Sequence, residues 1–276
     1  MHLAWLSDIH LNFLGKNTVL SFAKRVANSI ADAVVITGDI AEHPSFLPIM
    51  NLLEQTIRKP IYFINGNHDF YRGSIANQKQ NSIELSNNSE AIYYLEHTGP
   101  IELTDKTCLV GVDGFYDGRY GDFFGLTSGG WDMNGYGLFR LADFDLIEEI
   151  SVLSGRDAQY QLFNNLGDQG ADLLKSFINQ AAPKYKNILI ATHIPPFAEV
   201  SKYNGNPSPI NSLPFFSCKA LGEMLLDIKE RYPNNNFHVI CGHSHFEASL
   251  TIDNLYIEVA RAEYYQPAIY KIIDVE

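Results

Sequence analysis

The stretch VICGHSHF, residues 239–246, ends a short apolar run on a glycine and then sets two histidines around one serine. Side chains at i and i+2 of an extended segment point to one side. His243 and His245 are therefore expected on one face at the end of a strand. Four other runs have the same form: LAWLSDIH (3–10), AVVITGDI (33–40), IYFINGNHD (61–69) and NILIATHIPP (187–196). Short apolar runs closed by Gly, Asn or Pro read as buried strands. CLVGVDGF (108–115) has the same shape.

Helical patterns lie between these runs. NTVLSFAKRVANSI (17–30) puts Val19, Phe22, Val26 and Ile30 on one stripe. FLPIMNLLEQTIR (46–58) is similar, with its proline near the start, where a helix tolerates it. CKALGEMLLDIKERY (218–232) aligns Leu221, Met224, Leu225 and Ile228 and stops at Pro233. Strands alternating with helices predict an α/β fold with a parallel or mixed sheet under helical cover. Towards the C-terminus ASLTID, LYIEVAR and AIYKIIDV read as strands, with a hairpin turn at Asp253–Asn254. The stretch 114–168, rich in Gly, Tyr and Phe, breaks the rhythm and reads as an insertion or cap on a single domain spanning 1–276.

Composition narrows the function. With 46% hydrophobic and 19% charged residues over 276 positions, the chain can bury a full core and is not a disordered one. A formal charge of −12 argues against a general electrostatic hold on nucleic acid or anionic membrane. A small anionic substrate stays open, because a bound metal inverts the local sign. Cys108, Cys218 and Cys241 are too few and too scattered for a disulfide framework, and a reducing cytoplasm is the expected compartment. No apolar run approaches transmembrane length.

The strand ends collect Asp8, His10, Asp39, Asn67, His68, Asp69, His193, His243 and His245. Taken singly, each has a plainer reading. His10 would be a surface histidine, Asp39 a helix cap, Asn67 a turn residue and His193 loop filler before two prolines. Taken together at the ends of successive strands, they converge on the crevice where open α/β sheets bind ligands. Asp, His and Asn without thiolate suit Mn, Fe, Zn or similar ions rather than an all-oxygen calcium cage. One carboxylate shared by two such ions is a hydrolase arrangement for a phosphoryl centre.

These blocks resemble those of the calcineurin-like metallophosphoesterase superfamily: D-x-H (Asp8, His10), G-D (Gly38–Asp39), G-N-H-D (Gly66–Asp69), a strand-end His193 before prolines, and G-H-x-H (Gly242–His245). All five occur in the family's order across residues 8–245. The resemblance implies a four-layer α/β/β/α sandwich. It implies that Asp8, His10, Asp39 and His245 hold one metal ion, and that Asp39, Asn67, His193 and His243 hold a second, with Asp39 bridging. A metal-bound hydroxide would attack phosphorus. His68 would stabilise the transition state or protonate the leaving oxygen, and Asp69 would orient it. One departure is Glu42, where the family usually has Asn or Asp three residues after the G-D.

Substrate choice in such folds sits on loops and insertions. The candidates are Asn12 and Phe13 after the first block, Tyr71 and Arg72 after GNHDF, and Tyr116 and Arg119 in FYDGRYGD. An arginine there would fork onto a phosphate oxygen, or serve as an ordinary ion pair. Tyr71, Phe123, Phe124 and Trp131 would stack a base or pack the insertion. The expected partner is a small phosphorylated substrate, with no membrane. Two rivals are a nuclease-type relative, disfavoured by the missing basic stripe, and a non-catalytic metal-binding scaffold, disfavoured because every ligand and His68 are present.

Overall fold

Five strands form the first sheet. His2–Leu6, Ala33–Thr37, Ile61–Ile64 and Ile92–Tyr94 run parallel, and Lys271–Asp274 pairs antiparallel with the edge of His2–Leu6. The second sheet orders its six strands as Ala248–Ile252, Leu255–Val259, Asn236–Cys241, Asn187–Ala191, Thr107–Gly111 and Ile101–Glu102, with the two outermost antiparallel. The computed structural model describes residues 1–124, 131–132, 138–139 and 141–276.

Near-continuous apolar strands imply burial on both faces. Ala33–Thr37 shows how the alternation divides: Val34 and Ile36 pack under helices, while Ala33 and Val35 face the other sheet. In the second sheet Leu109, Leu189 and Ile240 meet Leu3, Trp5, Tyr62 and Ile64 between the sheets. Val110, Ile188, Ile190 and Val239 face outward, beneath Arg156–Ala181 and Lys219–Arg231. Three core clusters therefore separate four layers, α/β/β/α, as the motif resemblance implied.

Three local expectations differ from what is found. The first helix ends at Ala27, so Ile30 leaves its stripe and is 73% exposed, while Val19, Phe22 and Val26 are buried. The second helix starts at His43, with Pro44 in its first turn. Pro48 thus stands inside the helix, where it removes one intrahelical bond. Burial of Phe46, Met50, Leu53 and Ile57 holds that helix regardless. The proposed insertion at 114–168 runs into the regular helix Arg156–Ala181, which packs on the outer core through Phe163, Leu174 and Ile178. Its earlier described part also contributes to that core, through buried Phe115, Tyr116, Phe123 and Phe144. The hairpin at Asp253–Asn254 forms, with Asp253 at φ 55° and Ile252 facing Leu255.

Trp5 lies at the centre of the inter-sheet layer, fully buried, edge-on to Tyr270 and bonded through Nε1 to Thr37 Oγ1 at 2.9 Å. Trp5→Ala is expected to cost about 3–5 kcal/mol in urea unfolding. Ile30→Ala should stay within about 0.5 kcal/mol of the parent. Equal losses in the two variants would contradict this placement of the core.

Candidate metal centre

The site sits at the carboxyl ends of the parallel strands. Loop-to-loop hydrogen bonds tie those ends together: Asp8 N to Gly38 O at 3.1 Å, His10 N to Asp39 O at 3.0 Å and Gly242 N to His193 O at 3.0 Å. The backbone there is not extended. Asp8, His10, Asp39, His243 and His245 all have φ between 41° and 68°. The strand ends at Cys241, so His243 and His245 share a site because each lies in a left-handed turn, not because of strand alternation. Non-glycine residues held there are strained and cluster at functional sites. Two glycines permit the close approach. A Cβ at Gly66 would lie 2.2 Å from Asp39 Oδ1, and one at Gly242 would lie 2.1 Å from Asp8 Oδ2.

Two groups of ligand atoms converge. Asp8, His10, Asp39 and His245 each offer one atom, all within 4.8 Å of one another. Here His10 Nε2 and His245 Nε2 face each other at 3.2 Å, and Asp39 Oδ2 lies 3.6 Å from His10 Nε2. In the second group, Asn67 Oδ1 is 3.1 Å from His193 Nε2 and 3.0 Å from His243 Nδ1, and Asp39 Oδ1 is 3.3 Å from His193 Nε2. Asp39 thus turns one oxygen to each group.

The donor set fits a cation. His193 Nδ1–H donates to Thr37 O at 2.8 Å, and His243 Nε2–H donates to Phe215 O at 2.9 Å. Those bonds fix the tautomers, leaving the opposite nitrogens bare. Burial pushes His243 and His10 down to about 3, so neither carries a second proton at neutral pH. Asn67 Oδ1 then lies within 3.1 Å of the inward nitrogens of both His193 and His243, an acceptor-rich set that a divalent or transition ion satisfies. Burial alone would raise the Asp8 carboxyl. The hydrogen bond and charge of His245, backed by His193 and His10, outweigh it and hold Asp8 below the ordinary carboxylate range. Burial and the neighbouring Asp8 charge raise Asp39, against the His68 N–H it accepts at 2.9 Å.

His68 stacks on Tyr71 at 4.2 Å between centroids, with Nε2 3.9 Å from Asp39 Oδ2. Burial, then the charges of the surrounding histidines, lower its pKa well below the usual value. Its Nδ1 is buried without a hydrogen-bond partner among the described residues. The expected role for Asp69 changes. Its oxygens accept backbone N–H groups from Ile40 at 2.9 Å, Ala41 at 2.8 Å and Gly66 at 2.7 Å. It staples the Gly38 and Gly66 loops together rather than bonding to the His68 ring.

Several proposed substrate contacts have other partners. Tyr71 is buried, its hydroxyl donating to Asp143 at 2.6 Å. Arg72 pairs with Glu42 at 2.6 Å, so Glu42 serves an ion pair. Arg119 forks onto Asp168 at 2.6 and 2.7 Å and leans on buried Asp117. Asn12 sits in the turn Leu11–Phe13 next to His10, with Oδ1 buried and without a hydrogen-bond partner among the described residues. Phe123 is core and Phe124 is exposed. The reading of Trp131 as a stacking group concerns a side chain outside the described part of the structure.

Asp143 was not legible as a site residue. It is fully buried and accepts from Asn67 Nδ2 at 3.0 Å, Tyr71 at 2.6 Å and Tyr116 at 3.2 Å. Burial raises its pKa, and those three donors oppose the rise. An Asn amide is oriented by its hydrogen bonds. With its NH₂ held on Asp143, Asn67 must present Oδ1 to His193 and His243. The sequence LADFDLIEE around Asp143 carries no spacing signal for this role.

With this geometry established, comparison with known proteins is direct. The chain belongs to the calcineurin-like phosphoesterase family, whose sequence model matches residues 1–247. Among solved structures it is similar to a phosphopantetheinyl hydrolase from Mycobacterium tuberculosis, with a TM-score of 0.61 and 16% identity over 95% of this chain and 89% of that one. It is also similar to a dimetal phosphatase from Danio rerio, with a TM-score of 0.53 and 13% identity over 95% and 87% of the two chains. No curated protein matches it in sequence. Among the described residues, no helix is long and apolar enough to cross a membrane.

Asp39→Ala is expected to lose both metal ions, read as metal per chain after reloading and gel filtration; two ions retained would refute the shared carboxylate. Asp143→Asn should weaken one of the two ions about 10–100-fold, the usual effect of removing a partner that orients a ligand. Equal weakening of both would mean that Asp143 supports the fold at large and not Asn67.

Proposed function

We propose that this chain hydrolyses a phosphodiester or phosphomonoester bond of a small molecule at the Asp39 centre. The observation that carries the reading is the division of that one buried carboxylate between two ligand groups, 3.6 Å from His10 and 3.3 Å from His193. Two divalent or transition ions (Mn, Fe, Zn or similar), when bound, supply positive charge for the phosphoryl oxygens and acidity for water.

The rest follows from the chain's own groups. Asp8, His10 and His245 hold one side of the phosphoryl position and Asn67, His193 and His243 the other. His68, stacked on Tyr71 with Nε2 turned towards Asp39, would stabilise the transition state through an Nε2–H hydrogen bond to the leaving oxygen, or protonate that oxygen when it is itself imidazolium. The Mycobacterium tuberculosis and Danio rerio neighbours are named as a hydrolase of phosphopantetheinyl and a dimetal phosphatase. Both are consistent with phosphoester chemistry. At 16% and 13% identity neither supplies this chain's substrate.

The test is turnover of a chromogenic phosphodiester and its monoester by protein stripped of metal and reloaded with Mn²⁺. Metal-dependent release from either supports the reading, and the ratio assigns diester or monoester preference. In the same assay His68→Ala should lose about 10²–10⁴-fold in rate while keeping its metal. If metal content falls with the rate, His68 is a ligand and its assigned role is wrong. Silence on both esters with metal bound would turn the reading towards a non-catalytic scaffold.

A further inference from the structure

Three aromatic side chains stand exposed at the mouth of this centre. Phe13 is 39% exposed, Tyr264 44% and Tyr265 64%. The Tyr264 ring lies 4.5 Å from the ring of His10 and 4.8 Å from that of His245, so it covers the first ligand group directly. Phe13 stands 5.8 Å from Tyr264 and 5.7 Å from Tyr265, carrying the aromatic surface outward. Isolated exposed apolar residues are ordinary, but a contiguous set at the edge of a cleft marks a binding surface.

The same tyrosine lines a cleft of about 700 Å³ together with His243, His245, Phe216 and Phe246. That volume is within the range of small-molecule sites, about 300–1,000 Å³. Its rim carries Glu247 and Glu263, with Arg261 bonded to Glu263 at 2.7 Å. The loop that bears Tyr264 and Tyr265 follows the strand Leu255–Val259 and lies beyond residue 247, where the family match ends. It therefore lies outside the stretch that carries the metal blocks.

We propose that Tyr264, Tyr265 and Phe13 form a stacking platform for a planar aromatic ring in the substrate's alcohol, so that the preferred ester is that of a nucleoside or an aryl alcohol. The inference rests on the phosphoesterase reading. With phosphorus at the Asp39 centre, Tyr264, whose ring lies against His10 and His245, is beside the ester's organic group. An aromatic face open to solvent takes a flat ring by offset or tilted stacking.

The experiment measures kcat/KM of Mn²⁺-reloaded protein for esters of adenosine, phenol and glycerol, each as monoester and as methyl diester. Tyr264→Leu should lower the ratio of ring-bearing to glycerol ester about tenfold, the size of a lost stacking contact. Comparing ratios between variants cancels the intrinsic reactivity of each ester. Tyr264→Phe should restore the ratio, and Phe13→Leu should lower it less. A drop confined to adenosine assigns a nucleoside, and one confined to phenol assigns an aryl alcohol. Adenosine monophosphate binding by equilibrium dialysis is the second readout and needs no turnover. If no ester is hydrolysed but this binding weakens in Tyr264→Leu and recovers in Tyr264→Phe, the platform stands and the phosphoesterase reading fails. Metal-dependent turnover with unchanged ratios in Tyr264→Leu overturns the platform alone, as does an equal fall in the Leu and Phe variants.

Discussion

Asp39 has to serve two sets of ligands from one buried carboxylate, and that demand shapes the loops around it. Its Oδ2 approaches His10 and its Oδ1 approaches His193 and the amide of His68. Reaching both sides requires the residue to leave the strand abruptly, at φ 53° behind Gly38 at φ 88°. The same turn recurs at Asp8, His10, His243 and His245. Each non-glycine residue in that conformation costs on the order of 1–2 kcal/mol. A chain that repeats the cost at five positions must hold those loops by other means, and the backbone bonds that tie the Asp8 loop to the Asp39 loop, and the Gly242 loop to His193, are among them.

The groups behind the ligands are as specific as the ligands. Asp69 takes three amides from two loops, so it fixes where Asp39 and Asn67 stand. Asp143 fixes which way the Asn67 amide points. It reaches the site from the irregular stretch after residue 114, together with Tyr116. That stretch is thus part of the metal centre's support and not a detachable cover.

How much of this could be read from the chain depended on whether the signal was local. Strand runs such as AVVIT and NILIA are continuous and apolar because they are buried, so the alternation of strands and helices was legible, while the four-layer stacking came only from the motif resemblance. The five motif blocks were legible because each is short and lies at a strand end. What escaped was set by distant partners. For Arg72 and Arg119 the sequence left a phosphate contact and an ordinary ion pair both open, and only the fold names the partners, Glu42 and Asp168. Tyr71 follows the GNHDF block and looks substrate-facing, yet Asp143 claims its hydroxyl from 72 residues away. Pro48 shows the complementary limit. Tertiary burial of its helix outweighed a local rule about where proline belongs.

Between the core and the metal centre runs a chain of hydrogen bonds whose direction is fixed at both ends. Trp5 Nε1 donates to Thr37 Oγ1 at 2.9 Å, Thr37 Oγ1 donates to Ser7 Oγ at 2.8 Å, and Ser7 Oγ donates to Asp8 Oδ2 at 2.5 Å. An indole can only donate and a carboxylate only accept. Both hydroxyl protons are therefore committed, and Asp8 is held by a group packed between the two sheets. Thr37 also gives its carbonyl to His193 from the second sheet. One threonine at the end of a central strand thus ties the first ligand group, the second ligand group and the inter-sheet core together. The two sheets cannot slide past each other without moving Asp8 relative to His193. The sandwich is in this sense part of the site: the stacking of its sheets sets the distance between the two halves of the metal centre.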